Sequence, residues 1–195
     1  MAWQDTLRTL LELTYETLEK EHVGWAVAGS TATALQGCRL TPHGLNFLVQ
    51  EPRSVFRLAE LLAPFETEPV RAFTEWNHYW HTSGFVIKGG GVGVAHLADP
   101  EGRLFHGGVV WECGPAVWSH LRRVAFAGYS VPVVPLEFQV GTNLDRGITK
   151  HGEDTMNRVR EIARVFRANG YDRALLEWAL SPAHLARFDE IMRAE

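Results

Sequence analysis

Residues 25–49 read WAVAGSTATALQGCRLTPHGLNFLV. Trp25-Ala26-Val27-Ala28 is a short apolar strand closed by Gly29. Ser30 to Gln36 is compatible with a helix, and Gly37 is a natural stop at its end. Leu45-Asn46-Phe47-Leu48-Val49 is a second strand. The order is therefore strand, Gly-Ser, short helix, Gly, a basic residue (Arg39), Thr41 and a new strand. Gly29 lets the backbone approach a ligand closely. Ser30 can cap the helix or donate to an anion, and free amides with the helix dipole favour a phosphate there. Taken alone, Gly-Ser before a helix is more often an ordinary cap.

Outward from this stretch, the N-terminal side reads as a helix capped by Asp5 or Thr6. Leu7, Leu10, Leu11, Tyr15 and Leu18 share one face, and Lys20-Glu21-His22 ends it. A third helix follows Pro52 and carries Val55, Leu58, Ala59 and Leu62. The middle reads as strands and loops. Phe85-Val86-Ile87 is extended, Gly89-Gly90-Gly91 breaks or bends the chain, and Val92-Gly93-Val94-Ala95 resumes. Val109-Val110-Trp111 is a further strand, and Pro115 to Arg122 a short helix. Val131-Pro132-Val133-Val134-Pro135 reads as an edge strand or connector, because each proline removes a ladder donor. From Leu136 the pattern turns helical. Met156, Val159, Ile162, Ala163 and Phe166 form a stripe ended by Gly170, Leu175 to Ala179 a short helix, and Ser181-Pro182 starts the last. The expected architecture is an α+β (α/β) fold: an α/β domain over 1–135, with a mixed sheet flanked by helices, and a helical segment over 136–195 packed on it. No repeat, low-complexity stretch or linker interrupts it.

The composition bounds the function. The chain has 195 residues, 46% hydrophobic and 22% charged, with net charge −4. A weakly acidic chain makes nucleic acid an unlikely partner, although Arg122-Arg123 and residues 158–167 are locally basic. Two cysteines, Cys38 and Cys113, make neither a metal pair nor a disulfide framework, which points to a reducing, cytoplasmic setting. No secretory signal or membrane-spanning run is present, so no membrane partner is expected. Seven Trp and ten Phe supply core packing first, a stacking surface second.

Residues 25–49 resemble the opening of the nucleotidyltransferase superfamily, which includes the aminoglycoside, lincosamide and minimal nucleotidyltransferases. Val131 to Glu137 resembles that family's strand leading into its first C-terminal helix. Arg146, Lys150 and Asp154 fall where many members have an Arg, a Lys and an Asp. The resemblance spans roughly Gly24 to Phe166, loosely in the middle. It implies that Gly29 and Ser30 hold a nucleotide triphosphate, with Arg39, His43, Asn46, Arg146 and Lys150 toward the ligand. Lys150 and Asp154, at i and i+4, equally suit a plain surface ion pair.

The chain departs from the family on the chemistry itself. The family's Asp-x-Asp pair, which binds Mg²⁺, maps onto Gly44 and Asn46. Its third carboxylate falls on the strand containing Gly93, and no Asp or Glu occurs between Glu75 and Asp99. Mg²⁺ takes hard oxygen ligands, usually carboxylates. Gly44 and Gly93 supply no side chain, and Asn46 one neutral oxygen. No metal or other cofactor is therefore expected, and Mg²⁺ only if transfer survives. His43, His96 and the His78–His81 pair are poor Mg²⁺ ligands and lack a third partner in sequence. Three readings follow. The first is a catalytically degenerate protein binding a nucleotide or other small phosphate-bearing ligand. The second is an active enzyme with an atypical metal site built from Asn46, His43 or Asp99. The third is a partner-binding module, suggested by the aromatic segment Phe73 to Trp80.

Overall fold

In the computed structural model, the described residues are 2–75, 78–98, 105–106, 109–146 and 155–194. Lys150, Asp154 and Asp99 lie outside them. The chain order is α1 (Ala2–Lys20), β1 (Trp25–Ala28), α2 (Gly29–Leu35), β2 (Gly44–Val49), α3 (Pro52–Leu61), β3 (Glu66–Glu75), β4 (His78–Ile87) and β5 (Gly90–Ala98). There follow β6 (Phe105–His106), β7 (Val109–Val110), β8 (Arg122–Phe126), β9 (Tyr129–Val133), α4 (Leu136–Arg146), α5 (Thr155–Asn169), α6 (Arg173–Ala179) and α7 (Pro182–Ala194). Among the described residues a seven-stranded mixed sheet runs β3-β4-β5-β2-β1-β9-β8. β2 pairs antiparallel with β1 and parallel with β5, and β9 lies parallel to β1.

The alternation of β1 and β2 explains the two layers. Trp25 and Val27 point with Phe47 and Val49 into a core closed by Leu7, Leu10 and Leu11 of α1 and Val55 and Leu58 of α3. Trp25 stacks on Phe47, with ring centroids 4.9 Å apart and planes 8° from parallel. Ala26, Ala28 and Leu48 face the opposite way, onto Phe138 of α4 and Leu175 and Ala179 of α6. A third cluster joins α4, α5 and α7 through Val140, Val159, Ile162, Phe166 and Phe188.

Several expectations need correction. Helix α1 begins at Ala2, so Asp5 and Thr6 lie inside its first turn rather than capping it. Thr6 instead lies within hydrogen-bonding distance of the Ala2 and Ile87 carbonyls. β3 has no period-2 apolar signature, being exposed along nearly its whole length, and the sequence pattern missed it. Gly89 to Gly91 is not a break. Lys88 and Gly89 both take positive φ, 52° and 78°, and make the tight primed turn of a hairpin whose second strand starts at Gly90. Ala127 and Gly128 do the same between β8 and β9, with φ of 49° and 87°. The expected helix from Pro115 to Arg122 is a 3-10 turn over Pro115–Ser119, and Arg122 opens β8. β9 is interior, not an edge. Pro132 is tolerated because β1 shares only one register pair with β9, Val27 to Val133. Trp111 lies just beyond β7.

The stacked pair at the centre of the larger core gives a direct test. Phe47→Ala should cost about 3–5 kcal/mol in urea unfolding, as for other fully buried aromatic truncations. A loss below about 1 kcal/mol would mean that Trp25 and the α1 leucines close over the gap.

Candidate functional site

β1 delivers the chain to Gly29, which takes φ +63° and opens α2. L-residues with a side chain rarely adopt that angle. A second constraint adds to it: a Cβ on Gly29 would stand 2.5 Å from Nδ2 of Asn46. The turn is thus shaped by glycine on one strand and by the Asn46 side chain on the next. The Gly29 carbonyl accepts from Oγ1 of Thr33, one helical turn on, at 3.0 Å.

The positions that the family fills with carboxylates come together. Gly44 and Asn46 are two apart on β2 and share a face. In the parallel register Asn46 sits opposite Gly93, and Gly44 opposite Gly91. A Cβ on Gly93 would be 4.0 Å from Oδ1 of Asn46, and one on Gly91 would meet nothing within 4 Å. Asn46, Gly91 and Gly93 are exposed. The sheet therefore offers an open patch of bare backbone beside the Gly29 turn, with one neutral amide on β2 and its nearest strand acid, Glu68 of β3, two strands beyond Gly93. Glycine continues across β4, where Gly84 pairs with Gly93. This donor set does not fit Mg²⁺, which wants several hard, usually charged oxygens. Among the described residues no group of three or more His, Cys, Asp or Glu side chains could hold a metal ion.

A carboxylate does reach the turn, from a place the sequence reading passed over. Glu112, just after β7, is only 7% exposed. Its Oε2 accepts the Gly29 amide proton at 3.0 Å. Its own N–H donates to Oγ1 of Thr142 on α4 at 3.2 Å. Glu112 is 83 residues from Gly29, so no local motif could announce it. The only sequence signal was an acidic residue following an apolar strand, which is a weak one.

The other expected residues are scattered around this centre. Ser30 follows the turn and is half-buried. His43 is exposed and adjoins Gly44. Arg146 ends α4, exposed, and its charge reaches Cys113, next to Glu112. Arg39 is not at the turn. It lies beyond the far end of α2, where its N–H donates to Glu161 of α5 at 2.8 Å. The histidines do not form a cluster with the turn. His78 and His81 lie on a strand, not a helix, so an i, i+3 spacing sends them to opposite faces. His81 pairs in register with His96, whose Nδ1 lies 3.2 Å from the Val49 carbonyl oxygen. Burial holds the His96 imidazole below its ordinary pKa.

Both thiols are shielded, Cys38 buried and Cys113 half-buried. Burial pushes Cys113 up to about 12, helped by the charge of Glu112 and opposed by Arg146. Burial likewise pushes Cys38 up to about 12, with Glu161 adding to it.

Comparison with known proteins places this geometry. No family model matches the chain, and no curated protein matches it by sequence. Solved structures do. A nucleotidyltransferase candidate from Thermotoga maritima is 25% identical, with 75% of this chain and 88% of that one covered and a TM-score of 0.58. The antibiotic-resistance factor ANT(2'')-Ia is 12% identical, with 96% of each chain covered and a TM-score of 0.53. The chain has the nucleotidyltransferase fold, as residues 25–49 indicated.

Two outcomes test the site as described. Gly29→Ala forces a side chain into a left-handed turn and against Asn46, and should cost about 1–3 kcal/mol in urea unfolding; a cost within about 0.5 kcal/mol would mean that the turn relaxes freely. Thiols with raised pKa values are neutral at pH 8, so iodoacetamide should label native Cys38 and Cys113 far more slowly than the urea-unfolded chain. Equal rates in the two states would contradict the burial.

Proposed function

We propose that this chain is a nucleotidyltransferase-fold protein that no longer performs the transfer. Its cleft binds a nucleotide or another small phosphate-bearing ligand. Transfer requires a nucleophilic oxygen to attack the α-phosphate while pyrophosphate leaves, with charge neutralised at the phosphates. The observation that carries the reading is the open face on which Gly44, Asn46 and Gly93 meet beside the Gly29 turn. A ligand can reach that face, and Gly44, Asn46 and Gly93 bring no carboxylate to it for Mg²⁺. The backbone turn, by contrast, keeps the geometry that presents an amide to an anionic oxygen, as its bond to Glu112 illustrates. We assign Ser30, His43, Asn46 and Arg146 to the ligand; Lys150 joins them by resemblance alone, and Arg39 stands apart.

A second reading has one observation in its favour. Phe73 and Tyr79 are 37% and 52% exposed, and such aromatic side chains anchor interfaces. Against self-pairing, β3 carries Pro69, register shifts and an exposed Arg71–Glu68 ion pair, all features that blunt a sheet edge.

Thermal-shift titration with ATP, GTP, CTP and UTP, each with and without Mg²⁺, tests the proposal. A ligand at a hundred times its dissociation constant adds about 2.7 kcal/mol of stability. We expect a shift with at least one nucleotide that does not require Mg²⁺, and no labelled nucleotide passed to an acceptor panel. A Mg²⁺-dependent shift together with label transfer would overturn it in favour of an enzyme. Absence of any shift, with a mass above the monomer in solution, would favour the partner-binding module.

A further inference from the structure

Glu112 is the one side chain at the centre of the site that the family resemblance does not account for. It sits on the chain after β7, not on the sheet, so it is not a displaced copy of any of the three missing acids. Its main chain is fixed by the bond to Thr142, which aims the side chain at the turn. Its carboxylate is buried and takes the Gly29 N–H. Among the described residues no lysine or arginine pairs with it. A buried carboxylate held by a neutral amide, without a cation, is weakly compensated compared with one in an ion pair.

The Gly29 amide is also the group that, in the function proposed above, receives a phosphate oxygen. A backbone N–H makes one strong hydrogen bond at a time, so the two acceptors exclude each other. They also carry the same sign of charge at short range in a partly enclosed place, which adds repulsion. We propose that Glu112 is an internal competitor for the turn: its carboxylate occupies the phosphate position, and a ligand binds only by displacing it. The proposal rests on the phosphate reading of the site. It assigns to Glu112 control over how tightly, and by which anions, the turn is occupied. Weak anions leave the carboxylate in place. A polyphosphate, with several oxygens to engage Ser30 and the neighbouring groups, can supplant it.

Isothermal titration of inorganic pyrophosphate and of ATP into the wild-type chain and Glu112→Gln tests this. Glutamine keeps the shape and still accepts from Gly29, but without charge. Both probes should bind the variant roughly tenfold more tightly, the difference expected between a charged and a neutral hydrogen-bond acceptor. Near-UV circular dichroism should be unchanged. Unchanged or weaker affinity in a folded variant overturns the inference and leaves the binding reading standing, since Glu112 would then be a cap or a ligand contact. Binding by neither protein removes the binding reading, and the inference with it. If Glu112→Gln does not fold, Glu112→Asp retains the charge one methylene further from the amide. A smaller gain is expected there, because the bond to Gly29 weakens while the charge remains, and the absence of any gain counts against the proposal.

Discussion

The hydrogen bond from Gly29 to Glu112 ties together the three parts of the chain that make the site. Gly29 ends β1 and starts α2, so its φ of +63° sets how the helix leaves the sheet. Without a Cβ it also lets Asn46 of β2 close against the turn. Glu112 brings in the segment after β7, and through Thr142 it brings in α4. The first strand, the middle of the chain and the C-terminal helices thus converge on a single peptide group. Disturbing that group would disturb the relation between sheet and helices.

Helix α4 is the element that permits this convergence. All residues from Leu136 to Leu144 are buried, including Glu137, Gln139, Thr142 and Asn143. Most of these polar groups meet partners, although Glu137 Oε2 and Gln139 Nε2 have none among the described residues. Glu137 accepts from Arg122 of β8 at 2.7 Å and from the Asp172 amide at the start of α6 at 3.0 Å. Asn143 donates to the Gln139 carbonyl, and its own carbonyl accepts from Thr155 of α5. Those bonds join α4 to the sheet edge and to two further helices. The basic dipeptide Arg122-Arg123, which reads in sequence as a local positive patch, is in part a structural clamp. Arg164 in the other basic stretch bonds Glu161 and the Gly37 carbonyl. In each basic region one arginine, Arg122 or Arg164, is thus tied to internal partners.

How much of this the sequence disclosed follows from the range of each interaction. β1, the turn, α2, α3 and the C-terminal helices rest on local periodicity and on Gly and Pro punctuation, and they are legible. The resemblance put one missing carboxylate on the strand of Gly93, but that this strand lies parallel to β2, with Gly93 opposite Asn46, is visible only in the register. β3 was invisible because an exposed edge strand needs no apolar alternation. The glycine run after Ile87 left a break and a bend open, because a primed hairpin turn and a chain break use the same residue; it is the bend. β9 read as an edge because proline is costly only where a neighbour demands its hydrogen bond. Glu112 was beyond reach, since its role is defined by a partner on the other side of the fold.

The redistribution of negative charge gives these observations a common physical sense. A site that holds Mg²⁺ can keep carboxylates and a triphosphate side by side, because the cation lies between them. Here the sheet positions carry no acid, and a single acid stands instead at the backbone turn. A phosphate arriving at that turn would meet the Glu112 carboxylate at the same amide. At contact distance, two like charges in a partly buried place repel by several kcal/mol even when the protein screens them well. Two arrangements avoid this: the turn stays filled by Glu112, or Glu112 leaves as the ligand arrives. Under the proposal, the bare sheet positions and the position of Glu112 form one electrostatic arrangement, in which the carboxylate holds the turn until an anion of higher charge takes its place.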